Sequence, residues 1–240
     1  MRRWTIVLAL AVLAGVSLTA CETSYDKARA LRAQAAANAP KPLTISKPNK
    51  DVKVDQTALL HDQNGDAIVV ELTNESNQAL VNLPLLINIR DAKGKTVFKN
   101  DTAGLDFALN HVALIRPGET LYWVNDQIDP GGKSVKVTVG QPEAKPPKGP
   151  LPELEVSEPK LEHDFSGLKV TGTVTDKSKL DQQHLILFAV ARQGGRIVAA
   201  GRGQIKALKV EAKPAPYVIY FIGNPAGADV TIQAPPTVLQ

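Results

Sequence analysis

A chain of 240 residues, 43% of them hydrophobic, has material for more than one core, and its one cysteine rules out an internal disulfide. Of 28 Lys and Arg, two (Arg2 and Arg3) lie in the first twenty residues; the other 26 stand against 24 Asp and Glu, a formal +2 scattered along the chain. That distribution excludes the clustered basic footprint of a nucleic-acid-binding protein, and no nucleic-acid partner is expected.

Residues 1–20 read as an export signal. Arg2 and Arg3 give a basic start, and an apolar run follows from Thr5 to Val16, shorter than the roughly 20 residues that span a bilayer. The segment closes with Leu18-Thr19-Ala20-Cys21. This order resembles the lipobox of bacterial lipoproteins, whose signal peptide is cut before the cysteine and whose thiol takes a lipid. The resemblance implies lipidation of Cys21 and attachment to the cell membrane or outer membrane, facing the periplasm or the cell exterior. A diacylglyceryl group supplies the two chains that stable anchoring takes. A simple secretory peptide with an accidental cysteine would instead leave a lone thiol in an oxidising compartment. The twin-arginine route lacks the Ser or Thr expected before Arg2.

Residues 21–50 are expected to form a tether. Thr23-Ser24-Tyr25-Asp26 fits a helix N-terminus, so a short helix is expected over 25–37, with mostly alanine to bury. Pro40, Pro42 and Pro48 among lysines then predict extended, solvated chain, and a wholly unstructured tether would reach roughly 30 Å on average.

An internal repeat governs the rest. At an offset of 102, Val52–Arg90 aligns with Leu154–Arg192 without a gap, and 10 of the 39 pairs are identical, several times the chance level. The pairs include His61-Asp62 with His163-Asp164, Gly65 with Gly167, and Leu83 with Leu185. Further shifts bring Leu121-Tyr122-Trp123 onto Ile219-Tyr220-Phe221. Duplication of one domain explains the pattern.

Each copy reads as β-sheet, with apolar residues at period two and turn signals every 8–12 residues. Ile68, Val70 and Leu72 alternate with outward positions, as do Leu83, Leu85, Ile87 and Ile89, and Val135, Val137 and Val139 close the first copy. Asp91-Ala92-Lys93-Gly94-Lys95 and Arg116-Pro117-Gly118-Glu119 are predicted turns. The second copy repeats the plan through Val170 and Val174, Leu185–Val190, Gly194-Gly195, Tyr217–Ile222 and Asp229–Ile232. The expected fold class is all-β: two tandem small antiparallel β-sandwich domains of immunoglobulin-like type. The first spans 51–140 and the second 153–236, with a stiff Pro/Lys linker at 141–152 and a tail at 237–240. Thr102–Ile115 lacks strict alternation and is expected to be a loop that differs between the copies, where specificity could reside.

Leu72-Thr73-Asn74, Ile87-Asn88-Ile89-Arg90-Asp91 with Gly94, and Arg116-Pro117-Gly118-Glu119 resemble the FxLYD-type modules of bacterial surface lipoproteins. Ile87 stands where that family has Phe, and Arg90 where it has Tyr. The resemblance covers about 75 residues per copy and implies a non-enzymatic envelope module.

No Gly-x-Ser-x-Gly elbow, phosphate loop or zinc motif occurs, and Cys21 is committed to lipid, so no catalytic residue and no cofactor is assigned. The repeated pairs His61-Asp62 and His163-Asp164 are the candidates for a metal, but neighbours on a strand point to opposite faces, and a site takes three or four convergent ligands. Their other reading is a hairpin turn, His-Asp-x-x-Gly, with Asp bonded to the backbone and Gly taking the positive φ. Tyr122, Trp123, Tyr220 and Phe221 are candidates for an interaction face, with core packing as the alternative. The leading functional expectation is therefore a lipid-anchored structural or adaptor protein with a protein partner in the envelope. The alternative is a lipoprotein that binds a small ligand or metal.

Overall fold

The computed structural model describes residues 41–239. The expected signal peptide, Cys21 and the helix over 25–37 lie outside the described residues. Among the described residues the chain is strands and turns with one short 3-10 turn, and no helix there is long and apolar enough to cross a membrane.

The first copy contains β1 (Val52–Asp62), β2 (Gly65–Asn74), β3 (Leu80–Arg90), β4 (Thr96–Lys99), a 3-10 turn (Phe107–Leu109), β5 (His111–Ile115), β6 (Thr120–Asn125) and β7 (Ser134–Val139). All pairings are antiparallel. One sheet runs β1-β2-β6; the other is built on β3, with β7 along one side and β4 and β5 following each other along the other. The inward faces carry Ile68, Val70 and Leu72 of β2, and Leu121 and Trp123 of β6. Across from them lie Leu83, Leu85, Ile87 and Ile89 of β3, all at most 1% exposed. Trp123 adds the largest apolar area, and its indole Nε1 donates to the Ala108 carbonyl at 3.1 Å, so its polar atom is not stranded.

The second copy contains β8 (Leu154–Val156), β9 (Lys160–Asp164), β10 (Gly167–Asp176), β11 (Gln182–Gln193), β12 (Arg196–Leu208), β13 (Ala215–Tyr220), β14 (Ile222–Gly223) and β15 (Asp229–Gln233). β8 and β9 pair with β10, which pairs with β13; the facing sheet runs β14-β12-β11-β15. The fold is all-β, two antiparallel immunoglobulin-like sandwiches. The predicted turns form as expected: Asp91 Oδ1 accepts from Lys93 N and Lys95 N, Gly94 sits at φ 80°, and Gly194-Gly195 close the β11–β12 hairpin.

The unplaced segment 102–115 proves to be the main difference between the copies. Phe98 lies opposite Ile89 as Ala199 lies opposite Ala191, and Val112 opposite Leu83 as Ile205 opposite Leu185. Thirteen residues separate Phe98 from Val112 where five separate Ala199 from Ile205, so the first copy carries eight extra residues. They split one long strand into β4 and β5 and throw out the 3-10 turn, which Asp106 caps by accepting from Ala108 N.

Strand register also corrects the sequence alignment of the aromatic strands. Trp123 pairs with Val70, and Tyr217 with Gly172, the counterpart of Val70. The structural equivalent of Trp123 is therefore Tyr217, and Tyr220-Phe221 fall four residues beyond the counterpart of Tyr122-Trp123. Matching aromatic residues had outweighed the strand register.

The expected outward positions of β2 are not open either. Ala67 and Val69 are fully buried and Glu71 is 9% exposed. The outer face of β11 and β12 lies on the outer face of β2 and β6, and Ile186, Phe188, Val190, Ile197 and Ala200 join the core of the first copy. A strand covered on both faces needs an unbroken apolar run rather than alternation, and Ala67–Val70 and Leu185–Ala191 are such runs. Several counterparts of the buried contact residues are less apolar or smaller. Thr171 and Thr173 replace Val69 and Glu71 on β10, while Pro84, Leu86 and Asn88 replace Ile186, Phe188 and Val190 on β3.

Chain expected to be solvated is also held down. Leu43 N donates to Asp101 O at 3.1 Å and Asn49 N to Val139 O at 2.8 Å, so the end of the expected tether lies on the first sandwich. Beyond β7 the chain keeps pairing with β3: Gly140 N donates to Pro84 O and Glu143 N to Asn82 O. Open backbone groups at the strand ends supply these partners, a demand composition does not reveal. Gln182, fully buried, pins the tail by accepting from Thr237 N and Val238 N through its Oε1.

Candidate functional site

The two His-Asp-x-x-Gly segments are hairpin turns with two-residue loops, joining β1 to β2 and β9 to β10. Asp62 Oδ1 accepts from Asn64 N at 2.6 Å and Asp164 Oδ1 from Ser166 N at 2.8 Å, and Gly65 and Gly167 take φ of 148° and 125°. The remaining carboxylate oxygens are also engaged. Asp62 Oδ2 accepts from Gly223 N across the two copies, and Asp164 Oδ2 accepts from Lys169 Nζ and the Tyr220 hydroxyl. The Lys169 ammonium, first among several donors, lowers the Asp164 carboxyl to a pKa of about 2. His61 Nδ1 pairs with Asp66 at the surface. The two turns meet at one end of the molecule, where Asp62, Asn64 and His163 line a cleft of about 360 Å³. Among the described residues no group of three or more His, Cys, Asp and Glu is disposed to hold a metal.

The four candidate aromatics separate into three environments. Trp123 is core of the first sandwich and Phe221, 2% exposed, core of the second. Tyr122 lies between the copies: its hydroxyl accepts from Arg192 Nη1 at 2.8 Å, and the guanidinium stands 5.7 Å from its ring centroid. Tyr220 is 43% exposed on the outer face of β13, beside Lys169 and near Val218, which is 51% exposed; Phe165 is fully exposed at the tip of the β9–β10 hairpin. Of the six large hydrophobic residues exposed among the described residues, these three share one end of the second sandwich's outer sheet.

Arg192 is the polar centre of the contact between the copies. Nη1 and Nη2 form a fork on the Glu71 carboxylate at 2.9 and 3.1 Å, and Nη2 also donates to Gln56. Burial works against the charged guanidinium, but Glu71 and Tyr122 outweigh it and its pKa is raised. At the rim, Gln233 of β15 uses its amide as a strand would: Oε1 accepts from Tyr122 N and Nε2 donates to Thr120 O, closing the open edge of β6. Sequence reading missed Arg192, Glu71 and Gln233; the available signals were a carboxylate set between Val70 and Leu72 and a guanidinium directly after the apolar run Leu185–Ala191.

Where the eight-residue insertion meets the second sandwich, the two copies enclose a cavity of about 340 Å³. Phe107, His111 and Ala113 form one wall, Ile186 and Phe188 the other, and Pro235 closes an end. Phe107, 44% exposed, stacks on His111 with ring centroids 4.2 Å apart and planes 12° from parallel. His111 Nδ1 donates to Asn110 Oδ1, and Nε2 stands 3.3 Å from a Glu143 carboxylate oxygen. Burial lowers the His111 pKa, and Glu143 offsets only part of this. At the mouth, His184 and Gln204 hold one another at 3.5 Å, the outer limit of a hydrogen bond. His184 has a positive φ of 49°, and its counterpart Asn82 has 50°, so this kink belongs to the duplicated fold.

No protein-family model matches the chain, and no curated protein is significantly similar to it.

Proposed function

We propose that the protein is an exported lipoprotein, held on a membrane surface by acyl chains on Cys21, that acts as a non-enzymatic adaptor for a protein partner in the cell envelope. The carrying observation is the exposed apolar group Val218, Tyr220 and Phe165 on the second sandwich. The equivalent outer face of the first sandwich is already a docking face, covered by a sheet through Val69, Glu71, Tyr122 and Val124. A few apolar anchors within a polar surround of Lys169, Thr171 and Glu162 match the composition of non-obligate interfaces. Fusion of the two sandwiches gives that face a rigid mount, and the lipid keeps it at the membrane. The chemistry-bearing side chains support the same reading, since Asp62, Asp164 and Arg192 are consumed by turns and by the contact between copies.

The test is site-specific photo-crosslinking in cells of the native organism, with the photoreactive residue at 218 and, as control, at Lys136 on β7. A discrete protein adduct at 218, lost with Tyr220→Ser and absent at 136, is the expected outcome. Identical patterns at both positions would remove this face from consideration. Cys21→Ser should move the protein from the membrane to the soluble fraction.

A further inference from the structure

We propose that the cavity between the eight-residue insertion and the second sandwich is a binding site for a small uncharged amphiphile, with a planar apolar body and one hydroxyl, carbonyl or amide end. This goes beyond the adaptor reading and does not depend on it. Size is the first argument: about 340 Å³ lies at the lower end of the range of small-molecule sites, about 300–1,000 Å³. Construction is the second. The wall that creates the cavity is the segment by which the first copy departs from the second, and it carries Phe107, a large apolar side chain nearly half exposed rather than tucked into either core. A 3-10 turn capped by Asp106 and a flat stack on His111 hold that ring in place.

The lining selects the chemistry. Phe107 and His111 offer a flat aromatic surface, and Ile186, Phe188 and Pro235 complete an apolar slot suited to a planar body. The one carboxylate that lines it, Asp106, caps the 3-10 turn through Oδ1, and burial disfavours the charged form of His111. Arg202 belongs to an adjoining polar pocket, where Asp106 and Asp126 act on it, so a carboxylate ligand would meet two like charges. The groups available to a ligand head are the His184 ring nitrogen and the Gln204 amide, which satisfy one another only at the limit of hydrogen-bond distance. Together they can donate to a carbonyl or accept from a hydroxyl.

The probe is 1-naphthol, measured by equilibrium dialysis against the full chain in lipid nanodiscs, with uptake by empty nanodiscs subtracted. One saturable equivalent per chain is expected. Ala113→Trp, which fills the slot, should weaken it at least tenfold, and Gln204→Leu should weaken 1-naphthol severalfold while leaving naphthalene unchanged. If Ala113→Trp fails to fold, Phe107→Ala decides, because its partly exposed side chain contributes to neither core; a severalfold loss is expected. Uptake that rises without saturation, or saturable binding indifferent to the folded cavity variants, would overturn the assignment.

Discussion

Replacing Arg192 with alanine should cost the whole molecule roughly 2–4 kcal/mol. The guanidinium serves the two oxygens of Glu71, the Tyr122 hydroxyl and Gln56, and the Glu71 side chain is 11% exposed against 28% for Arg192. Exposed ion pairs contribute about 0.2–1 kcal/mol. Removing one partner of a buried pair costs about 3–5 kcal/mol, because the survivor keeps its desolvation without its counter-charge. Here the survivor, Glu71, is the more buried partner, which sets the value towards the upper figure, while the partial opening of Arg192 holds it below. For a folded unit of about 200 residues each kcal/mol moves Tm by about 2–4 °C, so a fall of roughly 4–16 °C is expected. Glu71→Ala should cost less, since the freed guanidinium can turn to water, and the double-mutant cycle should give a coupling of about 1 kcal/mol or more. Calorimetry and guanidinium titration of the full chain supply these values and should show one transition, as a core shared by both sandwiches requires. A loss below about 0.5 kcal/mol, the ordinary cost of a surface change, or two well-separated transitions would refute this account.

Three further outcomes follow from the geometry. Gly201→Ala would place a Cβ 2.1 Å from the Tyr220 carbonyl oxygen, a backbone atom that cannot swing away, and should cost about 1–3 kcal/mol in chemical denaturation, whereas Gly149→Ala, with open space around it, should cost little. Gln233→Ala strands Tyr122 N and Thr120 O at the edge of β6; light scattering should detect increased self-association, and denaturation a loss of about 1–3 kcal/mol. Because burial lowers the His111 pKa in the folded state, the unfolded chain takes up the proton first as pH falls, so the contribution of the neutral ring is complete above pH 6.5 and lost below it. His111→Phe should therefore lose less stability than the native protein between pH 7.5 and 5, and equal losses would count against the assignment.

Strand content and hairpins were readable because each rests on local chemistry: alternation in Leu83–Ile89, Asp-x-x-Gly in the two repeat turns, and Gly94 and the Gly194-Gly195 pair where positive φ is required. What escaped reading depends on distant partners. Ala67–Val70 is an uninterrupted apolar run, and only the presence of the second sandwich distinguishes an outward face from an interior one. Gly201-Arg202-Gly203 carries no motif, yet its missing side chains let β12 pass against Ile219 and Tyr220. The cavity was legible only in outline: Thr102–Ile115 stood out as the segment that breaks the repeat, but Ile186 and Phe188 join it through folding alone.

At some equivalent positions the residue that meets its neighbour inside the molecule is apolar and the one left at an end is polar: Thr171 stands for Val69, and Asn88 for Val190. Stacking a further unit there would take the Thr171 hydroxyl with its Glu162 carboxylate partner, and the Asn88 amide with its Thr96 partner, out of water. The arrangement therefore terminates itself at a pair. Another round of duplication would have to rewrite those polar positions before it could extend the stack in the same way.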